Sequence, residues 1–223
     1  MMDATSAVLH PYWPRDLLIP TYVANDRSMS EILAFLFSVS GVFLLVTWLI
    51  TGRKGTTGRL GTWRRLAVCW FAVCGFIHGV IEGWFSLYYD IIPGDQSFLS
   101  QLWKEYSKGD SRYVIADNFT CLYGDRDCLV LGAFQLLGCI CLFNQQALQI
   151  CQLYGAVLYF FTEHRDGYAH SELGHPVYFW FYFVFLNTLW IVIPFALIVD
   201  AWRQLSAAQT HTDNTKSQKS KRK

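Results

Sequence analysis

Apolar runs alternate along the chain with short polar stretches, and three of the runs are long enough to cross a bilayer as helices. Ile32 to Ile50 (ILAFLFSVSGVFLLVTWLI) contains no charge. Leu66 to Tyr89 is broken only by His78 and Glu82, and Val177 to Val199 carries one amide, Asn187, with Pro194 near its end. A crossing helix needs about 20 apolar residues, so each run predicts a span. The last span should kink or loosen at Pro194. Two further blocks, Cys128 to Phe143 and Ala147 to Phe161, fall a turn or more short of that length and are separated by the polar run NQQ. They read as two short spans joined by a tight turn. The predicted fold is therefore all-α: a five-transmembrane-helix bundle whose third and fourth spans are short or irregular. A three-span chain with a re-entrant hairpin has the same parity; five spans is the preferred expectation.

Charge sets the orientation. The segment between the first two runs, TGRKGTTGRLGTWRR, carries Arg53, Lys54, Arg59, Arg64 and Arg65 with no acid, and the chain ends in KSQKSKRK. Both are expected on the cytoplasmic side, with the mixed-charge loops around 90–117 and 162–175 on the other. The layout is then a lumenal N-terminal segment over 1–31, a transmembrane domain over 32–202 and a basic cytoplasmic tail over 203–223. The first thirty residues lack the basic start and apolar run of a cleavable signal, so the first span is expected to direct insertion itself.

Composition agrees with a chain whose solvent is partly lipid. Charged residues make up 16% and apolar residues 53%, against about 25% charged in soluble domains. The formal net charge of +1 gives no reason to expect a nucleic-acid partner. The seven cysteines are odd in number and contain no CxxC pair, which argues against a disulfide scaffold. Cys139 and Cys141 form a CxC without ligands at metal spacing, so no metal is expected there.

The candidate chemistry lies in the polar interruptions. His78 and Glu82 are four residues apart and share a helix face. An intramembrane charge costs about 2.5–3.5 kcal/mol on insertion scales, so such groups turn toward protein or a wet cavity. A structural pair gluing helices is one reading, worth about 0.6 kcal/mol on average. A proton donor and acceptor facing one substrate, or a proton relay, is the other. In the last span Asn187 and Trp190 also share a face. An indole offers the best cation–π surface, gaining about 2 kcal/mol for a buried cation, and Glu82 would supply counter-charge. Together these groups suit a ligand that is greasy overall and cationic at one point. The run TEHRDGYAHSELGH is rich in His and acid but matches no metal spacing; a solvated loop is expected. Asn118-Phe119-Thr120 forms a glycosylation sequon close to the membrane edge, where use is not expected.

Several longer runs resemble the emopamil-binding-protein family of the EXPERA superfamily. They are HPYWP (His10 to Pro14), LGTWRRLAVCWFAVCGFIHGVIEGW (Leu60 to Trp84), SQLWKEYSKGDSRYVIADNFT (Ser100 to Thr120) and YFFTEHRDGYAHSELGHPVYFWFYFVFLNTLW (Tyr159 to Trp190). The resemblance implies a five-helix endoplasmic-reticulum sterol isomerase that moves a ring-B double bond from delta-8 to delta-7 through a carbocation in an intramembrane pocket, needing no cofactor. It places catalytic proton transfer on His78 and Glu82 and the substrate or cation pocket on Glu82, Asn187 and Trp190. Tyr106, Asp110, Arg112 and Tyr113 would close or order the site. The implied partners are a sterol, cationic amphiphilic drugs that mimic the carbocation, and the bilayer, with a homodimer as an open alternative. The last five residues, KSKRK, fit a K-x-K-x-x retrieval pattern for the reticulum.

The resemblance breaks over roughly Cys121 to Cys151. There the family continues with V-C-M-E-T, whose Glu and Thr belong to its site, whereas this chain reads CLYGDRDC. Written as ACC TGT CTG TAT GGA GAC CGT GAC TGC and shifted by one base, TCLYGDRDC becomes GTC TGT ATG GAG ACC GTG ACT, or VCMETVT. The window is therefore read as an out-of-frame translation of the family sequence, with Asp125 and Asp127 out of register for the missing acid. A non-catalytic sterol- or amine-binding member of the superfamily is the resulting alternative function. A proton-coupled transporter is a third class, but no inverted repeat supports it.

Overall fold

The first apolar run folds as α1 (Met29–Thr51), opened by a reciprocal cap: Ser28 Oγ accepts from the Glu31 amide at 3.3 Å, and the Glu31 carboxylate accepts from the Ser28 amide at 2.8 Å. Ile32 is its only buried residue, and Phe37, Leu45 and Leu49 stand exposed. On a helix whose one charge is the capping Glu31, that is a lipid-facing surface. The computed structural model describes residues 9–53, 60–117 and 145–220, and all the regular structure among them is helical. The sequon at 118–120, the run CLYGDRDC and the predicted third block at 128–143 lie outside the described residues.

The second run begins as α2 (Thr62–Phe76), pinned to the end of α1 by Arg65, whose guanidinium lies 3.5 Å over the Trp48 ring and donates to the Trp48 carbonyl at 2.6 Å. At Ile77 the helix widens into a π-helical turn, Ile77–Glu82, and tightens again as α3 (Gly83–Tyr88). The Gly83 amide reaches back to the His78 carbonyl. A five-residue step leaves a carbonyl short of its usual donor, and the Ile81 carbonyl accepts from the Trp103 indole at 2.8 Å. Trp103 belongs to α4 (Phe98–Tyr106), which joins Ile32, Phe76, Phe85 and Ile92 in one apolar cluster.

Beyond α4 the chain lies directly on the last span. A Cβ on Gly109 would come 2.7 Å from Tyr182 Cβ and 2.9 Å from the Tyr178 carbonyl. Neither neighbour is a flexible side-chain end, so Gly109→Ala should lift this segment away at a cost of about 1–3 kcal/mol. A lowered unfolding temperature in detergent checks this; an unchanged one contradicts the close approach.

The fourth predicted block lies in α5 (Gln145–Arg165), 21 residues long and therefore about 31 Å. The sequence block ended at Phe161, but the helix runs on because its polar end is satisfied by protein. Glu163 is 0% exposed and accepts from the His170 amide at 2.8 Å and from His170 Nδ1 at 3.1 Å. The fourth element thus reaches crossing length, where apolar residues alone fell short.

The last span opens at Pro176, where His175 Nδ1 accepts from the Val177 and Tyr178 amides at 3.2 and 2.9 Å. It runs as a π-helix, Pro176–Leu186, and continues as α6 (Asn187–Ser220), with Pro194 inside the helix. The tail expected after residue 202 is thus helical to Ser220, supported by Gln204 to Asp200 at 2.6 Å and Gln209 to Asp213 at 3.0 Å. Among the described residues, Met29–Thr51, Thr62–Tyr88 and Pro176–Ser217 are long and apolar enough to cross a membrane. The chain is a polytopic, all-helical membrane protein.

Candidate active site

The π-helical turn presents His78 and Glu82 together, with His78 Nδ1 2.7 Å from Glu82 Oε2. His78 is only 8% exposed, and the Glu82 side chain 26%. The pair therefore turns into the protein, with the carboxylate retaining some access from outside. The other ring nitrogen, His78 Nε2, lies 2.9 Å from the Gln152 amide nitrogen of α5 and accepts from the Trp190 indole of α6 at 3.3 Å. Three elements meet on one imidazole. Trp190 stands edge-on to it, with centroids 6.2 Å apart and planes at 87°, and packs against Trp70 at 5.3 Å. The indole thus points its N–H, not its face, at His78.

Asn187 sits one turn before Trp190, where the π-helix gives way to α6. Its amide nitrogen donates to the carbonyls of Phe183 and Tyr182 at 2.8 and 3.2 Å, so it takes up backbone groups at the helix transition. It also meets the Tyr106 hydroxyl, 2.8 Å from Nδ2 and 3.1 Å from Oδ1. Tyr106 packs edge-on against Tyr113 at 5.3 Å, and Tyr113 touches Trp103 and Phe85 at 5.0 and 5.4 Å. Burial pushes both phenols above their ordinary pKa, so Tyr106 and Tyr113 remain neutral hydroxyls.

Asp110 and Arg112 form a brace beside this aromatic layer. Arg112 Nη2 donates to Asp110 at 2.6 Å and Nε to both its oxygens at 3.0 Å. Its other arm reaches Thr162 at 2.9 Å, and the cation lies 4.9 Å over the Tyr159 ring and 3.5 Å from Glu163. Burial opposes the charge, but Asp110 alongside more than offsets it and holds the guanidinium pKa above normal. The hydrogen bond to Glu163 likewise raises His170.

The structure thus gathers His78, Glu82 and Trp190 into one cluster. It links Asn187 to Tyr106 and Tyr113 in an adjoining layer, and sets Asp110 and Arg112 outside as a clamp. The expectation of a solvated TEHRDGYAHSELGH loop holds at His164, Arg165, Asp166, Ala169 and Leu173, which are exposed, and fails at Glu163 and Ser171, which are fully buried, and at His170, whose carbonyl accepts from the Ser111 amide at 3.0 Å. Sequence reasoning missed Gln152. Its signal was present, an amide within ALQICQLYGAVLYFF as conspicuous as Asn187 in the last span.

The family model described as EXPERA (EXPanded EBP superfamily) matches residues 98–201. The "3-beta-hydroxysteroid-Delta(8),Delta(7)-isomerase" of Rattus norvegicus is 52% identical over 96% of both chains, and that of Cavia porcellus 49% over all of both. The "Probable 3-beta-hydroxysteroid-Delta(8),Delta(7)-isomerase" of Oryza sativa is 35% identical over 89% of this chain and 93% of its own.

Proposed function

We propose, since this chain belongs to the emopamil-binding-protein family of the EXPERA superfamily, that it moves a sterol double bond from delta-8 to delta-7. The observation that carries this is identity of 49–52% along essentially the whole chain to relatives that bear that isomerase name. The His78–Glu82–Trp190 cluster has the chemistry such a reaction needs. A proton adds to C9 of the C8=C9 alkene, leaving a tertiary cation at C8. Loss of a proton from C7 then gives the C7=C8 alkene. No electrons enter or leave, so an acid, a base and cation stabilisation suffice.

His78, paired with Glu82, delivers the proton. Glu82 balances the cation, with π density from Trp190 and Asn187 fixing the adjoining wall through Tyr106. Tyr113 closes the aromatic layer, and Asp110 and Arg112 hold that layer in place. The same constellation suits cationic amphiphiles whose ammonium stands where C8 becomes positive. A bilayer-dissolved sterol reaches an intramembrane site sideways. The basic 51–65 segment supports a cytoplasmic C-terminus, and a bilayer-dissolved sterol substrate suits residence in the endoplasmic reticulum.

Expression in yeast lacking its own delta-8 isomerase tests this, with sterols followed by mass spectrometry. The expected result is conversion of accumulated delta-8 sterol to delta-7. Binding of a radiolabelled amphiphilic amine without conversion would overturn catalysis and leave the non-catalytic alternative.

A further inference from the structure

The environment of His78 Nε2 carries information beyond the proton-transfer pair. The Trp190 indole N–H can only donate, and it points at Nε2 from 3.3 Å. The Gln152 amide nitrogen, also a donor, lies 2.9 Å from the same atom. Two donors require an acceptor, so Nε2 bears the lone pair and the imidazole proton sits on Nδ1, where the Glu82 carboxylate accepts it at 2.7 Å. Gln152 Oε1, by contrast, is buried and has no hydrogen-bond partner among the described residues. A buried amide oxygen left unpaired carries a desolvation penalty, and so calls for an explanation.

We propose that Gln152 is the positioning residue of His78, an amide that serves both protonation states of the imidazole. With His78 neutral, its N–H holds the Nδ1–H tautomer. When His78 takes up a proton, Nε2 becomes a donor and faces two donors. A half-turn of the Gln152 amide replaces its N–H with Oε1, converting the clash into a hydrogen bond. The Trp190 N–H must then release Nε2, which frees the indole to reorient toward the substrate at the moment positive charge is to form. The unpaired oxygen is thus the acceptor held ready for the imidazolium. This deepens the isomerase reading and rests on it for its catalytic consequence, but the tautomer itself does not depend on turnover.

Two measurements separate the claims. Full-length protein labelled with 15N-histidine in lipid nanodiscs, with His78 assigned by difference against His78→Gln, reads the ring nitrogens directly. Nε2 should resonate as unprotonated and Nδ1 as protonated. Gln152→Glu, which substitutes an acceptor for the donor, should bring a proton onto Nε2. In turnover, Gln152→Leu should lower kcat about 10- to 100-fold with KM little changed, and Gln152→Asn, which keeps a shortened amide, should restore part of it. A protonated Nε2 in the parent, or nitrogen signals indifferent to Gln152→Glu, would overturn the proposal even if Gln152→Leu is slow, since slow turnover alone would then reflect packing. Unchanged kcat in Gln152→Leu would overturn it as well. A parent chain with no conversion at all would sink the isomerase reading and leave the nitrogen measurement to stand or fall alone.

Discussion

Glu82→Gln is expected to reduce delta-8 conversion by about 10²- to 10⁴-fold while leaving the chain folded. The substitution is nearly isosteric, and an amide oxygen can still accept from His78 Nδ1 across the present 2.7 Å. The π-helical turn, the Trp103 bond to the Ile81 carbonyl and the packing of Phe85 do not involve the carboxylate charge. What is lost is the negative charge. In the proposed mechanism that charge is what faces the developing cation at C8 and what holds an ammonium ligand. Conversion and amine binding should therefore fall together, while the unfolding temperature in detergent stays near that of the parent. If conversion above a tenth of the parent rate persists, Glu82 is a helix-gluing partner of His78 and the proton chemistry lies elsewhere. If the unfolding temperature collapses instead, the pair is structural in a stronger sense than its geometry supports.

The parts of this molecule legible in its sequence are those fixed by a residue's own solvent. Ile32 to Ile50 reads as a crossing helix because no charge interrupts it, and α1 covers that run. His78, Glu82, Asn187 and Trp190 stood out because polar and indole groups inside hydrocarbon need a reason. What was not legible depends on a partner supplied from elsewhere. The two π-helical stretches are held by donors to backbone carbonyls, Trp103 from α4 in one case and the Asn187 side chain in the other, and no periodicity announces such a donor. The end of α5 reads as loop because Glu163 reads as solvated, until Arg112 and His170 are seen to enclose it. Asn187 is the instructive case. The sequence sets it on one face with Trp190, yet its amide is committed to Tyr106 and to its own helix, so it shapes the site through a neighbour. Trp190 likewise was read as a π face and instead presents its edge to His78.

Arg112→Met should destabilise the protein by about 3–5 kcal/mol, because it leaves two carboxylates buried without their shared cation. Asp110 is 1% exposed and Glu163 0%. Arg112 supplies a two-pronged bond to the first and lies 3.5 Å from the second. Arg112→Lys keeps the charge but cannot fork across both Asp110 oxygens while reaching Thr162, so a smaller loss is expected. The consequence travels inward by contact: Arg112 precedes Tyr113, Tyr113 packs on Tyr106, and Tyr106 anchors Asn187 one turn from Trp190. Conversion should thus decline with stability, although Arg112 touches no group assigned to proton transfer. The discriminating measurement is a second-site rescue. Adding Asp110→Asn and Glu163→Gln to Arg112→Met removes the stranded Asp110 charge and the Glu163 charge left to His170 alone, and should recover part of the unfolding temperature and of the conversion in parallel. Recovery of stability without any recovery of conversion would mean that the guanidinium acts on the sterol itself, and that the clamp is part of the reacting site after all.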